Sequence, residues 1–203
     1  MKLHLSPASP YARKTLLAAA ELGLLDQIKL VRATATPTAT ESPLDPLNPL
    51  AKIPTLELAS GETLFDSRVI VAYFESSSEK RLTPASGKAR FLALRHEAAA
   101  DGMNDAALLL RYETFLRPEP LRWSAWSEGQ TRKIRQALHF LAGLNYDLGQ
   151  AIGLGEIATY CALEYLDFRF PEIAWRIEYP ALAAMFEAVS ARPAVQHLPD
   201  QSS

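Results

Sequence analysis

The sequence predicts a small four-stranded α/β unit followed by an all-helical region. Three observations carry that expectation. Elements read in the order β-α-β-loop-β-β-α as far as Ser76, and no strand pattern follows Gly87. Between the two lies a polar, turn-rich stretch, Ser76–Gly87, where a domain boundary belongs. Ile157–Phe168 is apolar at nine of twelve positions, the mark of a helix buried in the middle of its domain.

The elements can be justified in turn. Residues 2–5 form a short strand. After Pro10, Leu16, Leu17, Ala20 and Leu24 share one helical face, and Gly23 marks its end. Ile28–Arg32 alternates as a strand does. From Ala33 to Leu50 the chain carries Pro37, Pro43, Pro46 and Pro49 with five threonines and serines, a density no regular element tolerates. Loops of that length in compact domains are commonly functional. Strands near Thr55–Leu58 and Thr63–Phe65 flank Ser60-Gly61, a hairpin turn. Val69, Ile70, Tyr73 and Phe74 then mark one face of a helix. Beyond the boundary, Lys88–Phe115 and Trp126–Leu148 read as helices, as do Ile157–Phe168 and Pro180–Ala191, the last with proline at its favoured first position.

Composition narrows the function. Of 203 residues 48% are apolar and 22% charged, so the chain can bury a core. A net charge of −2 and the lack of any Lys/Arg block argue against nucleic acid and anionic membranes as partners. The single cysteine, Cys161, allows no intrachain disulfide and no multi-cysteine metal site, and fits the cytoplasm. The apolar patch before Ser6-Pro7 is too short for a signal sequence or a membrane span. His4, His96, His139 and His197 are scattered without ligand spacing, so no metal site is expected. Gly153-Leu154-Gly155-Glu156-Ile157-Ala158 formally fits a dinucleotide loop, but a helix rather than a strand precedes it, and it reads as a turn and cap.

Three motifs in the first unit carry chemistry. In Ser6-Pro7-Ala8-Ser9-Pro10-Tyr11-Ala12-Arg13, Ser9 stands where a helix begins. One reading makes it a cap alone. The other adds an anion held by the helix N-terminus and by the serine hydroxyl, an arrangement that lowers a thiol's pKa. In Asn48-Pro49-Leu50-Ala51-Lys52-Ile53-Pro54-Thr55, Pro54 precedes a strand; the Ile53–Pro54 bond is either an ordinary trans link or a cis one that turns the Ile53 main chain toward a ligand. In Phe65-Asp66-Ser67-Arg68, Asp66 and Ser67 open a second helix, as a cap or as a carboxylate and hydroxyl facing a zwitterionic ligand end.

Together, Ser-Pro-x-x-x-Arg, Asn-Pro-x-x-Lys-Ile-Pro and Asp-Ser ahead of an apolar helix resemble the glutathione S-transferase family, in its bacterial serine-type branch. The resemblance implies a thioredoxin-like, glutathione-binding domain over 1–77, a linker over 78–87 and an all-α bundle over 88–203. It implies that Ser9 donates to the glutathione thiolate as the catalytic serine. Ile53, beside a cis Pro54, would pair with the cysteinyl main chain, Lys52 would reach the glycyl end, and Asp66 with Ser67 would hold the γ-glutamyl end. It further implies a cytoplasmic homodimer active in detoxification. Glutathione would be co-substrate, with no resident cofactor, and would attack a small hydrophobic electrophile held against the helical domain, with Arg111, Tyr112 and Trp123 as lining residues.

The sequence departs from the family pattern in places. Asp66 stands where Glu is frequent, and Gly153 replaces the Ser/Thr that usually caps the buried helix, which predicts a poorly capped start there. Asp101 and Asp105, four apart on one helix, read as a solvated face; a second reading puts Asp101 near the glutathione site at a dimer interface. A cysteine-dependent reductase is disfavoured, because Cys161 sits far into the second domain. A glutathione-binding module without turnover, or a glutathione-dependent isomerase, dehalogenase or peroxidase, stays open at this point.

Overall fold

The computed structural model describes residues 1–146, 149 and 151–201. They form two compact units: residues 1–82 with 192–203, and residues 83–191.

The first unit is built on β1 (Lys2–Leu5), β2 (Lys29–Arg32), β3 (Thr55–Glu57) and β4 (Thr63–Leu64), with α1 (Pro10–Glu21) and α2 (Ser67–Ser76) packed together. Strand order is β2-β1-β3-β4. β1 and β2 are parallel, and α1 makes the crossover that parallel pairing requires. β3 runs antiparallel to both β1 and β4. The β3–β4 turn closes through Leu58 N–H to Glu62 O at 2.8 Å, with Gly61 at φ 92°, a value few other residues accept. From Ala33 to Pro54 there is no helix or strand, as the proline density requires.

α1 is buried from Ala12 to Ala19. On α2 the inward face is Ile70, Val71 and Phe74, while Val69 is exposed, contrary to the face expected from sequence. The run Val69-Ile70-Val71 is apolar at three successive positions, so periodicity alone could not choose among them.

The second unit contains α3 (Gly87–Phe115), α4 (Ser124–Ala142), α5 (Leu154–Arg169), α6 (Trp175–Glu178) and α7 (Pro180–Ser190). α3 packs against both α4 and α5, and α5 also meets α7. α5 is buried at eleven positions, the central helix foreseen. Gly153 caps it without a side-chain hydrogen bond, again as foreseen. What fixes the start of α5 is packing: a Cβ on Gly155 would lie 2.2 Å from the His96 ring of α3, so only glycine admits this approach. Cys161 is fully buried. α4 begins two residues earlier than expected, and the last two positions of that expected helix, 147 and 148, lie outside the described residues. Asp101 is 3% exposed, so it does not belong to a solvated face.

The second domain, expected over 88–203, instead ends at Ala191. The segment 192–203, with the short α8 (Pro193–Gln196), belongs to the first unit. Arg192 grips Glu21 at the end of α1 through two bonds of 2.6 and 2.8 Å, and Arg13 donates to Pro199 O at 2.7 Å.

Candidate functional site

The strand register gathers the three motifs of the first unit at one end of its sheet. His4 pairs with Thr55 and Leu56 with Leu64, so one step beyond the first pair and two beyond the second, Pro54 lies between Leu5 and Asp66. From Leu5 the chain turns through Ser6–Ser9, closed by Ser9 N–H to Ser6 O at 3.0 Å, and enters α1. From Asp66 it enters α2. Two helix N-termini therefore open at the same sheet end, each adding unpaired N–H groups and partial positive charge.

Ser9 is the N-cap of α1, and its Oγ accepts from Ala12 N at 3.3 Å. An accepting hydroxyl keeps its own hydrogen, so Ser9 still has a donor to offer. The side chain is half-buried. Asp66 is the N-cap of α2, with Oδ1 accepting from Arg68 N at 3.0 Å. Both capping readings thus hold in the geometry, and neither uses up the group. Ser67 follows at the first helical position, 2% exposed, and its hydroxyl makes no hydrogen bond among the described residues.

The Ile53–Pro54 peptide bond is cis, as is Phe65–Asp66. Among the described residues the main-chain N–H and C=O of Ile53 carry no hydrogen bond. An exposed Lys52 stands beside it, in no ion pair among the described residues.

Sequence reasoning quoted Asn48 but gave it no role. The structure makes it the clasp of this loop. Asn48 is 1% exposed; its amide donates to Lys52 O at 3.1 Å and to Thr55 Oγ1 at 3.0 Å, while its Oδ1 accepts from Leu50 N at 2.9 Å. Thr55 Oγ1 donates in turn to Lys52 O at 2.8 Å. The loop's inner polar groups are thereby satisfied among themselves, leaving the Ile53 main chain free. The only trace of this in sequence is Asn ahead of proline, a general turn signal.

Arg111 and Tyr112 lie in the last turns of α3, both half-buried. Tyr165 and Arg169 of α5, two residues that sequence reasoning missed, lie within electrostatic reach of Arg111. Burial raises the Tyr112 phenol above its usual range and pushes Tyr165 up to about 12. Trp123 is reached through Glu113, which accepts from its main-chain N–H at 2.8 Å, while the indole is 65% exposed. Among the described residues there is no His/Cys/Asp/Glu group suited to a metal, and no helix is long and apolar enough to cross a membrane.

Comparison with known proteins gives this arrangement a context. Residues 8–77 match the N-terminal domain of glutathione S-transferase and residues 124–188 its C-terminal domain. The uncharacterized GST-like protein YibF of Escherichia coli (strain K12) is 30% identical over 196 residues, 95% of each chain. A glutathione transferase family member from Pseudomonas fluorescens Pf-5, solved with bound glutathione, is 39% identical over 97% of both chains, with a TM-score of 0.91. A structure from the same source with bound S-(propanoic acid)-glutathione shares 39% identity over 98% of both chains, at a TM-score of 0.88. A mixed four-stranded sheet whose capped helices open at one end, an all-helical second unit, and relatives spanning nearly the full length lead to one family: this chain belongs to the glutathione S-transferases.

Proposed function

We propose that the chain is a glutathione transferase in which Ser9 stabilises the glutathione thiolate for attack on a small hydrophobic electrophile. The observation that carries this reading is the Ser9 hydroxyl, which accepts from Ala12 N and so keeps its hydrogen free at the α1 N-terminus. Glutathione bound to the Pf-5 relative supports the ligand.

The dimensions agree. Leu5 and Asp66 flank Pro54 across two strand spacings, about 10 Å, and an extended tripeptide spans roughly the same length. In this reading the cysteinyl main chain pairs with the open N–H and C=O of Ile53, beside Pro54. The γ-glutamyl ammonium meets Asp66 and its carboxylate meets Ser67 and the α2 N-terminus. Lys52 faces the glycyl carboxylate.

Ser9 and the α1 dipole favour the charged sulfur over the neutral thiol, so more nucleophile is present at neutral pH. The thiolate displaces a leaving group or adds to an activated carbon, and the protein forms no covalent intermediate. Glutathione is the co-substrate, and the reaction as written needs no resident cofactor. The cytoplasmic homodimer with a detoxifying role belongs to the same reading; exposed Leu50 and Val69, and exposed Phe91 and Leu92, offer apolar surface for such a pairing.

The test is the Ser9→Ala variant. Its conjugation rate with an aryl halide should fall and the alkaline shift of its pH–rate profile should report a raised thiol pKa, with glutathione affinity little changed. An unchanged profile would reject Ser9 as the activator. Retained binding on immobilised glutathione without turnover over a panel of electrophiles would identify a binding module instead.

A further inference from the structure

α1 carries two charges at the ends where a helix least favours them. Arg13 stands in the turn that follows Ser9 and Glu21 closes the helix, with no acid in the first turn and no base in the last. A cation near a helix N-terminus and an acid at its C-terminus both oppose the macrodipole. Arg13 is moreover 4% exposed, and a guanidinium so buried needs acceptors close by. Neither charge stabilises α1 through its own helix, so the reason for them lies in what they bind.

One segment of chain meets both. Arg192 grips Glu21 with two N–H groups, at 2.6 and 2.8 Å, and further along the Pro199 carbonyl accepts from Arg13 at 2.7 Å. Arg13 and Glu21 stand about 12 Å apart along the helix axis. The segment 192–199 therefore runs antiparallel to α1 and bonds it near each end, with α8 packed on α1 between the two bonds. A forked, two-bond contact fixes direction as well as distance. The apolar burial of Ala12–Ala19 is non-directional, and sets the slide and rotation of the helix on its sheet less tightly. At the other end, Arg13 N–H donates to Ser9 O at 3.0 Å, so the residue that holds Pro199 also holds Ser9.

We propose that the segment 192–199 braces α1, and that Arg13 and Arg192 are positioning residues that fix where the Ser9 hydroxyl meets the glutathione sulfur; this rests on the transferase reading of Ser9 given above. The brace makes and breaks no covalent bond. It acts on the thiolate through Ser9 alone. A small slide of α1 along the sheet lengthens or bends the hydroxyl–sulfur hydrogen bond, and such bonds weaken steeply with poor geometry.

The test is Arg192→Met in the full chain, alone and combined with Ser9→Ala, with Glu21→Gln weakening the same grip from the helix side. Ultraviolet absorbance of the thiolate, followed against pH, reads the ionisation of bound glutathione, and conjugation of an aryl halide reads turnover. Arg192→Met and Glu21→Gln should each leave about threefold less thiolate at neutral pH, the effect of partly losing one hydrogen bond. Arg192→Lys should restore part of it. In the Ser9→Ala background Arg192→Met should add nothing, because two changes on one path do not sum. An unmoved thiolate titration in Arg192→Met, with or without a lower urea midpoint, makes the segment structural only and overturns the proposal. An equal shift with and without Ser9 overturns it as well. A thiolate that depends on Arg192 and Ser9 but gives no conjugation upholds the brace and rejects the transferase. A native titration that Ser9→Ala leaves unmoved rejects both.

Discussion

α1 and α5 are each the buried helix of their unit, yet they begin in opposite ways. α1 starts on Ser9, whose hydroxyl satisfies Ala12 N, followed by proline at the first helical position. α5 starts on Gly153, which bonds nothing through a side chain, and is held by the close fit of Gly155 against His96. A helix that opens at the end of a sheet needs a polar cap, and that cap has a hydrogen to spare. A helix that opens inside a bundle can be fixed by shape alone. The glutathione site proposed above opens on the Ser9 start.

The largest test of that contrast is Gly155→Ala. A methyl group 2.2 Å from His96 Nδ1 forces the two helices apart and strains the bond to Thr159. The expected loss is about 3 kcal/mol, read as a lower urea midpoint at unchanged slope. A native-like midpoint would mean that packing does not fix the α5 start, and the comparison would break.

Asn48→Ala should come next. It deletes the clasp on Leu50, Lys52 and Thr55, leaving a main-chain N–H without its partner. A stability loss of about 2 kcal/mol is expected, with a weaker glutathione affinity measured by calorimetry. Loss of stability with intact affinity would show that the Ile53 main chain is held by other groups.

The pH dependence tests the α5 side from another direction. Burial lowers the His96 pKa below 6.5, with the opposing pull of Glu156 too weak to restore it. As pH falls through 6.5 the unfolded chain takes up this proton before the folded one does. Stability should therefore decline below pH 6.5 and level off once the folded-state pKa is passed. Glu57 and Glu113, whose pKa values are lowered by their hydrogen bonds, begin to contribute a loss only below pH 4.5. His96→Asn should flatten the slope between these limits in pH-dependent thermal unfolding.

The smallest effects belong to the caps themselves. Ser9→Ala should cost about 1 kcal/mol, while Gly153→Ser should gain only a few tenths, roughly the difference between these residues at an N-cap. The extended backbone of Gly153, φ −97° and ψ 168°, accepts serine without strain. A large gain from Gly153→Ser would show that the α5 start was waiting for a cap and that packing was the lesser constraint.

Much of this was legible in the sequence because it is local. Caps, prolines, turn glycines and apolar periodicity act over a few residues, so the element order, the buried α5, and the placing of Ser9, Ile53, Pro54, Asp66 and Ser67 at element ends could all be read along the chain. Periodicity failed at Val69, where three apolar residues in succession leave the inward face undecided, and at Asp101, whose charge suggested a solvated face although it is buried.

What only the tertiary structure decided joins residues far apart. Glu21 and Arg192 bring the C-terminal segment back to the first unit across 171 positions. The helix register makes Gly155 the one residue type that His96 will admit. Such pairs leave no period and no composition signal, because each partner taken alone is an ordinary arginine, glutamate or glycine. Their meaning comes from the distance that folding removes between them.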